Sequence, residues 1–230
     1  MGFEYLTNVP LAQARKEYLE RLVSGGFGSK TETIPVFESC GRVTAKAVYA
    51  HICAPHYAAS AMDGVAVSAK ETFGATETTP VTLKPDQFLV LDTGDPIPED
   101  KDAVIMVEDI VKNGDGSITI HAAAAPWQHI RQIGEDVCAG EMILPSHMTV
   151  SPAAIGAMIA GGVLEIEVIR KPVVGIIPTG DEIIPPCTDP KPGDILEFNG
   201  SIFSAMVRSW GAEAVVYPIV PDKFDQIKEM

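Results

Sequence analysis

The chain has 230 residues, 46% of them hydrophobic and 21% charged, the balance of a globular protein able to bury a core or two and not of a disordered one. Its 31 acidic against 17 basic residues leave a formal net charge of -14, which argues against tracking a nucleic-acid backbone or docking on an anionic membrane. No apolar run approaches the roughly 20 residues of a membrane span, and the start Met1-Gly2-Phe3-Glu4-Tyr5 lacks the basic-then-apolar layout of a secretory signal, so a cytoplasmic location is expected.

Apolar side chains at Leu11, Ala14, Tyr18, Leu19 and Leu22 recur at helical spacing. They predict an amphipathic helix over 10–23, opened by Pro10, closed by Gly25-Gly26, and in need of a packing partner. Residues 33–36 and 45–51 read as short strands around a helical turn at 38–41, and Pro55 marks a change of element. Residues 55–133 have the pattern of a small β module without a long helix. Strands are expected over 64–68, 81–83 and 103–111, with Asn113-Gly114-Asp115-Gly116 turning into 117–121.

Ser151-Pro152 opens a helix through Ala160 that Gly161-Gly162 ends, and a strand follows over 163–169; this section is expected to return to the first helical domain. Beyond Lys171-Pro172 comes an apolar run at 173–177, then a helix capped by Asn199 and ended by Gly211, then a second apolar run at 214–220. That is a βαβ unit, which makes parallel strands and gathers ligands outside their carboxyl ends, where 179–182 and Asp222 lie. A last helix is expected from Asp222. Two parallel strands with one short closing helix do not complete an α/β layer, so the chain is expected to stop inside a domain.

Four turns set acidic side chains beside glycine: Asp63 in Ser60-Ala61-Met62-Asp63-Gly64, Asp95 in Thr93-Gly94-Asp95-Pro96, Glu135 and Asp136 after Gly134, and Asp181 and Glu182 after Thr179-Gly180. Glycine admits a ligand close to the backbone and carboxylates hold hard cations, so the recurrence suggests one magnesium-and-phosphate site assembled from distant segments. Each turn also has a plainer reading. Asp63 is either fixed at the start of a strand with Gly64 making room for a ligand, or a capping aspartate in a simple turn. Thr93 can donate to an oxyanion or sit in a proline-stiffened turn, and Glu108 reads as strand-end polarity. Arg131 can contact a phosphate while Glu135 or Asp136 helps hold magnesium, or the cation and these anions can form an internal salt bridge. Cys40, Cys53, Cys138 and Cys187 form no Cys-x-x-Cys couple, and the five histidines lack metal-pair spacing, so free thiols in a reducing compartment are expected. Met158, Trp127 and Trp210 read as packing residues.

Taken in order, Ser-Ala-Met-Asp-Gly at 60–64, Thr-Gly-Asp-Pro at 93–96 with Asp102-Ala103-Val104 and Glu108, Arg131-x-x-Gly-Glu-Asp136, Thr-Gly-Asp-Glu at 179–182, and Lys191-Pro192-Gly193 before Asn199 resemble the molybdopterin molybdenumtransferase family, which includes the gephyrin E domain. The resemblance runs from the first helix to the last residue. It implies an α+β multidomain fold: a discontinuous helical dimerisation domain over 1–54 and 137–170, a β-rich domain over 55–136, and the amino-terminal part of an α/β molybdopterin-binding domain over 171–230.

Members of that family insert molybdate into adenylylated molybdopterin with magnesium and release AMP, as homodimers whose site is built between subunits. The resemblance therefore makes Asp63, Thr93, Asp136, Glu182 and Asp222 the expected catalytic residues. Thr179, Gly180 and Arg131 are the expected cofactor-binding residues, Glu182 and Asp222 the magnesium ligands, and a molybdopterin adenylyltransferase the expected donor. The chain departs from the family at Val65, where a tyrosine is usual, so an aromatic contact is expected to be missing. The family's later Gly-Gly-x-Ser-x-Gly loop and fourth domain would lie beyond Met230, so the chain alone is not expected to complete the reaction. The competing expectations are a non-catalytic dimeric scaffold of the gephyrin E-domain type and an unrelated magnesium-dependent phosphohydrolase.

Overall fold

The structure, a computed structural model, describes residues 8–28 and 30–229. In chain order the elements are α1 (Leu11–Ser24), β1 (Thr31–Pro35), a 3-10 turn (Val36–Glu38), β2 (Val48–Tyr49), β3 (Ala59–Ser60), β4 (Gly64–Val67), α2 (Ala69–Thr72), β5 (Val81–Leu83), β6 (Phe88–Leu91), β7 (Ala103–Met106), a second 3-10 turn (Val107–Asp109), β8 (Ile110–Lys112) and β9 (Ile118–Ile120). There follow β10 (Ile130–Arg131), β11 (Met142–Leu144), α3 (Pro152–Ala160), β12 (Glu165–Ile169), β13 (Val173–Ile176), β14 (Ile183–Ile184), β15 (Ile195–Leu196), α4 (Asn199–Ser209), β16 (Glu213–Val216) and α5 (Phe224–Glu229). The fold is mixed α/β, with helices and small sheets.

The chain divides into two compact units. One runs from Ala47 to Pro145 and takes in Pro152–Leu164; the other takes the segments up to Lys46, Ser146–Ser151 and from Glu165 onward.

The heart of the Ala47–Pro145 unit is two three-stranded antiparallel sheets, ordered β6-β4-β7 and β5-β9-β8. Alternate residues of both sheets meet in one apolar cluster: Val65 and Val67 of β4, Leu83 of β5, Ile105 of β7, and Ile118 and Ile120 of β9. Strand side chains alternate faces, so i and i+2 enter the core together. Each such aliphatic side chain fully withdrawn from water contributes about 1.5–3 kcal/mol. The β8–β9 hairpin closes as its Asn-Gly-Asp-Gly turn predicts: Asn113 N donates to Ser117 O at 2.9 Å, and Asp115 Oδ1 accepts from Ser117 N and Oγ. The Ser117 bonds hold the Asp115 carboxyl below its ordinary range. The expected single strand over 103–111 is instead divided into β7 and β8 by the 3-10 turn Val107–Asp109, where the β4–β7 ladder ends with Val107 N donating to Asp63 O. Similarly, only Val48–Tyr49 of the expected strand over 45–51 pairs, with β11, since His51 N and Ile52 N both donate to Gly161 O.

Helix α3 ends as its glycines require: Gly162 takes φ +76° and Val163 N reaches back to Met158 O.

In the other unit β1 and β12 pair antiparallel over five residues, from Thr31 opposite Ile169 to Pro35 opposite Glu165. The βαβ reading of the sequence is met, since β13 and β16 pair in parallel, from Val173 opposite Glu213 to Ile176 opposite Val216, joined through α4. Asn199 is not the cap of α4. It is the first helical residue, and the Glu197 carboxylate accepts from Gly200 N at 2.6 Å in its place. Helix α1 has no buried residue, and its stripe stays open, with Leu11 85% and Tyr18 63% exposed. The last helix begins two residues later than expected, at Phe224.

Candidate functional site

Strand β3 organises the expected site residues of the Ala47–Pro145 unit. On one side it pairs with β10, Ser60 opposite Ile130 and Ala59 opposite Arg131; on the other Ala59 bridges Pro96. The short chain between β3 and β4 then turns through Ala61-Met62-Asp63. The fully buried Ser60 hydroxyl donates to Met62 O at 2.6 Å, a local turn that serine offers readily.

This turn delivers the Asp63 carboxylate to the 92–95 loop. Asp63 Oδ1 accepts from Thr93 N and from Thr93 Oγ1, each at 2.7 Å. The Thr93 hydroxyl, and after it the Thr93 amide, hold the Asp63 carboxyl below its ordinary range. Thr93 thus spends both donors on Asp63, and the expected oxyanion donor is an intramolecular partner here. The loop itself is clamped: Gly94, at φ +93°, donates its N–H to Ser60 O, Ser60 N donates to Asp95 O, and Tyr57 Oη donates to Gly94 O at 3.0 Å. Sequence reading passed over Tyr57, whose signal was only its place a few residues before the Ser-Ala-Met-Asp-Gly run.

Gly64 does not make room for a ligand. A Cβ there would stand 2.0 Å from Ile105 O and 3.1 Å from Met106 Cα, so the missing side chain is what lets β4 lie against β7. Val65 is likewise 1% exposed and faces the apolar core, so the residue at that position contributes to packing and not to the site. Glu108 lies in the 3-10 turn after β7, which fits the plain reading of it.

Arg131 and Asp136 are brought together as an ion pair, Nη2 to Oδ1 at 2.5 Å, with Glu135 Oε1 3.6 Å from Nε. Asp136, first by its hydrogen bond and then by its charge, pushes the Arg131 guanidinium further up. Glu135 also folds back on Gln132 N, and the loop hangs from the chain at 54–55 by Gly134 N to Pro55 O and Asp136 N to Ala54 O.

In the other unit the remaining expected residues gather where β13 and β16 end. Thr179 bridges Val220 in parallel, Gly180 N donates to Val220 O, and Val220 N donates to Pro178 O. Gly180 adopts φ +149°, and a Cβ on it would meet Ile183 Cγ1 at 2.8 Å and Glu182 Oε1 at 3.2 Å. Asp181 Oδ1 accepts from Asp222 N at 3.2 Å. A cavity of about 570 Å³ opens here, its lining including Gly180, Asp181, Glu197, Tyr217 and Pro221. The motif contained Asp181, but the sequence favoured its neighbour Glu182; the structure shows Asp181 as the residue that ties the two strand ends together.

Among the described residues no three His, Cys, Asp or Glu side chains are gathered as a metal-binding group. Magnesium does not need one, since it is held by one or two carboxylates with water and substrate phosphates. Glu182 and Asp222 are exposed residues flanking the Thr179–Val220 bridge, and one or two such carboxylates fit that donor set.

Residues 9–162 match the family model described as the MoeA N-terminal region, domains I and II. The chain belongs to the MoeA N-terminal region family. It is 35% identical over 210 residues to molybdopterin molybdenumtransferase 2 of Mycobacterium tuberculosis, covering 84% of this chain and 52% of that protein. It is 31% identical over 224 residues to the molybdopterin molybdenumtransferase of Haemophilus influenzae, covering 92% and 54%. Its fold matches a solved molybdopterin biosynthesis MoeA protein of Pyrococcus horikoshii with a TM-score of 0.79 at 29% identity, over 97% of this chain and 60% of that one. The MoeA-family chain therefore spans about half the length of the curated relatives it matches. Among its described residues no helix is long and apolar enough to cross a membrane.

Proposed function

We propose that this chain acts in molybdenum cofactor biosynthesis as part of a molybdopterin molybdenumtransferase, the whole of which inserts molybdate into adenylylated molybdopterin and releases AMP. The reading is supported by the family match over 9–162, which spans the Asp63–Thr93 and Arg131–Asp136 pairs, and by relatives of that name. Its domain layout is 1–54 with 137–170, 55–136, and 171–230. It works as a cytoplasmic homodimer and receives the pterin from an adenylyltransferase.

In this reading Glu182 and Asp222 hold magnesium, Asp181 positions Asp222 by accepting from its backbone N–H, and Thr179 and Gly180 flank the approach of the pterin phosphate. Bound magnesium supplies Lewis acidity at phosphoryl oxygen and screens two anionic reactants that otherwise repel each other. The chain's own residues bind and orient. Thr93 keeps Asp63 ionised and fixed in direction, and Arg131 offers its guanidinium to an incoming anion by exchanging Asp136 for it. Such preset charges need no reorganisation when the reactants arrive.

The test is a titration of the protein with adenylylated molybdopterin, magnesium and molybdate, followed by AMP release. Molybdate-dependent AMP release that stops on chelation supports the proposal. Binding of protein partners without AMP release points to a scaffold, and hydrolysis of simple nucleotides without molybdate points to a phosphohydrolase; either result overturns it.

A further inference from the structure

The four cysteines look scattered in the sequence, but two of them face each other in the fold. Ala54 and Val137 form an antiparallel bridge and exchange both backbone hydrogen bonds, Ala54 N to Val137 O at 2.8 Å and Val137 N to Ala54 O at 3.2 Å. The next pair outward in this register is Cys53 opposite Cys138. Beyond Cys138 the chain turns, with Glu141 N donating to Cys138 O, and the two segments meet again where Ala50 N donates to Glu141 O and Tyr49 stands opposite Met142.

Directly opposite residues on antiparallel chains point their side chains to the same face, and the pair next to a hydrogen-bonded one has its Cα atoms closest, at about 4.5 Å. A disulfide accepts Cα separations of about 4.4–6.8 Å. The sulfurs converge accordingly. A Cβ built on Gly134 would stand 2.7 Å from Cys138 Sγ and 3.6 Å from Cys53 Sγ, so both thiols crowd the same side of one glycine. Neither sulfur is held by a strong partner: Cys138 Sγ donates to Gly134 O at 3.4 Å, and Cys53 Sγ accepts from Ala139 N at 3.4 Å. Cys138 is exposed and Cys53 half-buried, so one thiol meets solvent and the other waits beneath it.

We infer that Cys53 and Cys138 are a thiol–disulfide modification site that closes an intrachain bond by exchange with a small disulfide such as oxidised glutathione. The exposed Cys138 thiolate attacks one glutathione sulfur and releases glutathione thiolate, leaving a mixed disulfide. The Cys53 thiolate then attacks Cys138 Sγ and releases the second glutathione thiolate, so the two protein thiols lose two protons and two electrons as one glutathione disulfide is reduced. The bond ties the chain at 53–55 to the root of the 131–136 loop, which already hangs from Ala54 and Pro55. The inference rests on this geometry and not on the proposed function.

The experiment uses the full chain with Cys40→Ser and Cys187→Ser, so that only the facing pair remains, equilibrated in buffers of reduced and oxidised glutathione and then alkylated. Peptide mass mapping is expected to show a 53–138 linkage with two hydrogens lost and no retained glutathione. The equilibrium constant for closing it should be about tenfold or more higher in native buffer than in denaturant. Amide exchange at Gly134 and Asp136 should slow on oxidation. In Cys53→Ser, Cys138 should keep its glutathione adduct, which shows that exchange enters at the exposed thiol. Separate glutathione adducts on both cysteines, persistent free thiols, an equal constant in denaturant, or unchanged exchange in the loop would each overturn the inference.

Discussion

One oxygen of Asp63 accepts both the amide and the hydroxyl of Thr93, each at 2.7 Å, so two residues thirty positions apart act as a single unit. Two donors on one carboxylate oxygen favour the ionised form and fix its direction.

From this pair follows a pH dependence with a definite sign. The Asp63 carboxyl is held below its ordinary range in the folded protein, chiefly by the Thr93 hydroxyl. A group whose folded value is lowered stabilises the fold above its unfolded value, and the contribution disappears as pH falls through the lowered one. Thr93→Val should therefore raise the Asp63 value toward the ordinary carboxylate range, while Thr93→Ser should leave it lowered. Carboxyl-carbon NMR titration of Asp63 reads this directly; an unchanged titration in the valine variant would show that the backbone amide suffices.

Gly64→Ala should destabilise the unit through backbone displacement. The added methyl would stand 2.0 Å from Ile105 O, which cannot swing away without parting β4 from β7. Overpacking of this kind costs about 1–3 kcal/mol, occasionally more. Urea unfolding should show a lower midpoint with an unchanged slope.

Core truncation gives a second, independent measure. Ile120 is fully buried in the apolar cluster shared by the two three-stranded sheets. Ile120→Ala should cost about 2–5 kcal/mol, read from the same unfolding curves, and a loss below this range would mean that the sheets collapse around the cavity.

Arg131 and Asp136 permit a charge exchange that separates structure from function. The double variant Arg131→Asp with Asp136→Arg keeps an ion pair between the two positions and should recover the melting temperature lost in either single variant. It should not recover AMP release, because the cation is then displaced from the place where a phosphate would meet it. Recovery of both would make the pair purely structural.

Asp181 accepts from the backbone of Asp222 across the two strand ends. Asp181→Asn should weaken magnesium-dependent pterin binding about 10–100-fold, the usual effect of disturbing a group that orients or completes a metal site. Calorimetric titration with and without magnesium checks it. Equal weakening in both would place Asp181 against the pterin itself.

Sequence alone determined the local elements of this protein, because apolar period and turn chemistry act over a few residues. The stop of α3 at Gly161-Gly162, the Asn-Gly-Asp-Gly hairpin and the β13-α4-β16 crossover were legible in that way, and five spaced motifs carried the family. Where strand periodicity ran on, as over 103–111 and 45–51, the sequence could not show that the β4–β7 ladder would end at the bond from Val107 N to Asp63 O, or that the amides of His51 and Ile52 would turn to Gly161 O.

Only the tertiary structure decided which residues meet. That Thr93 serves Asp63, that Gly64 yields its space to Ile105, that Glu197 caps α4, and that Cys53 stands opposite Cys138 all depend on register between segments far apart in the chain. Register is chosen by which faces bury together, and a one-residue slip would turn every side chain of a strand to the opposite face.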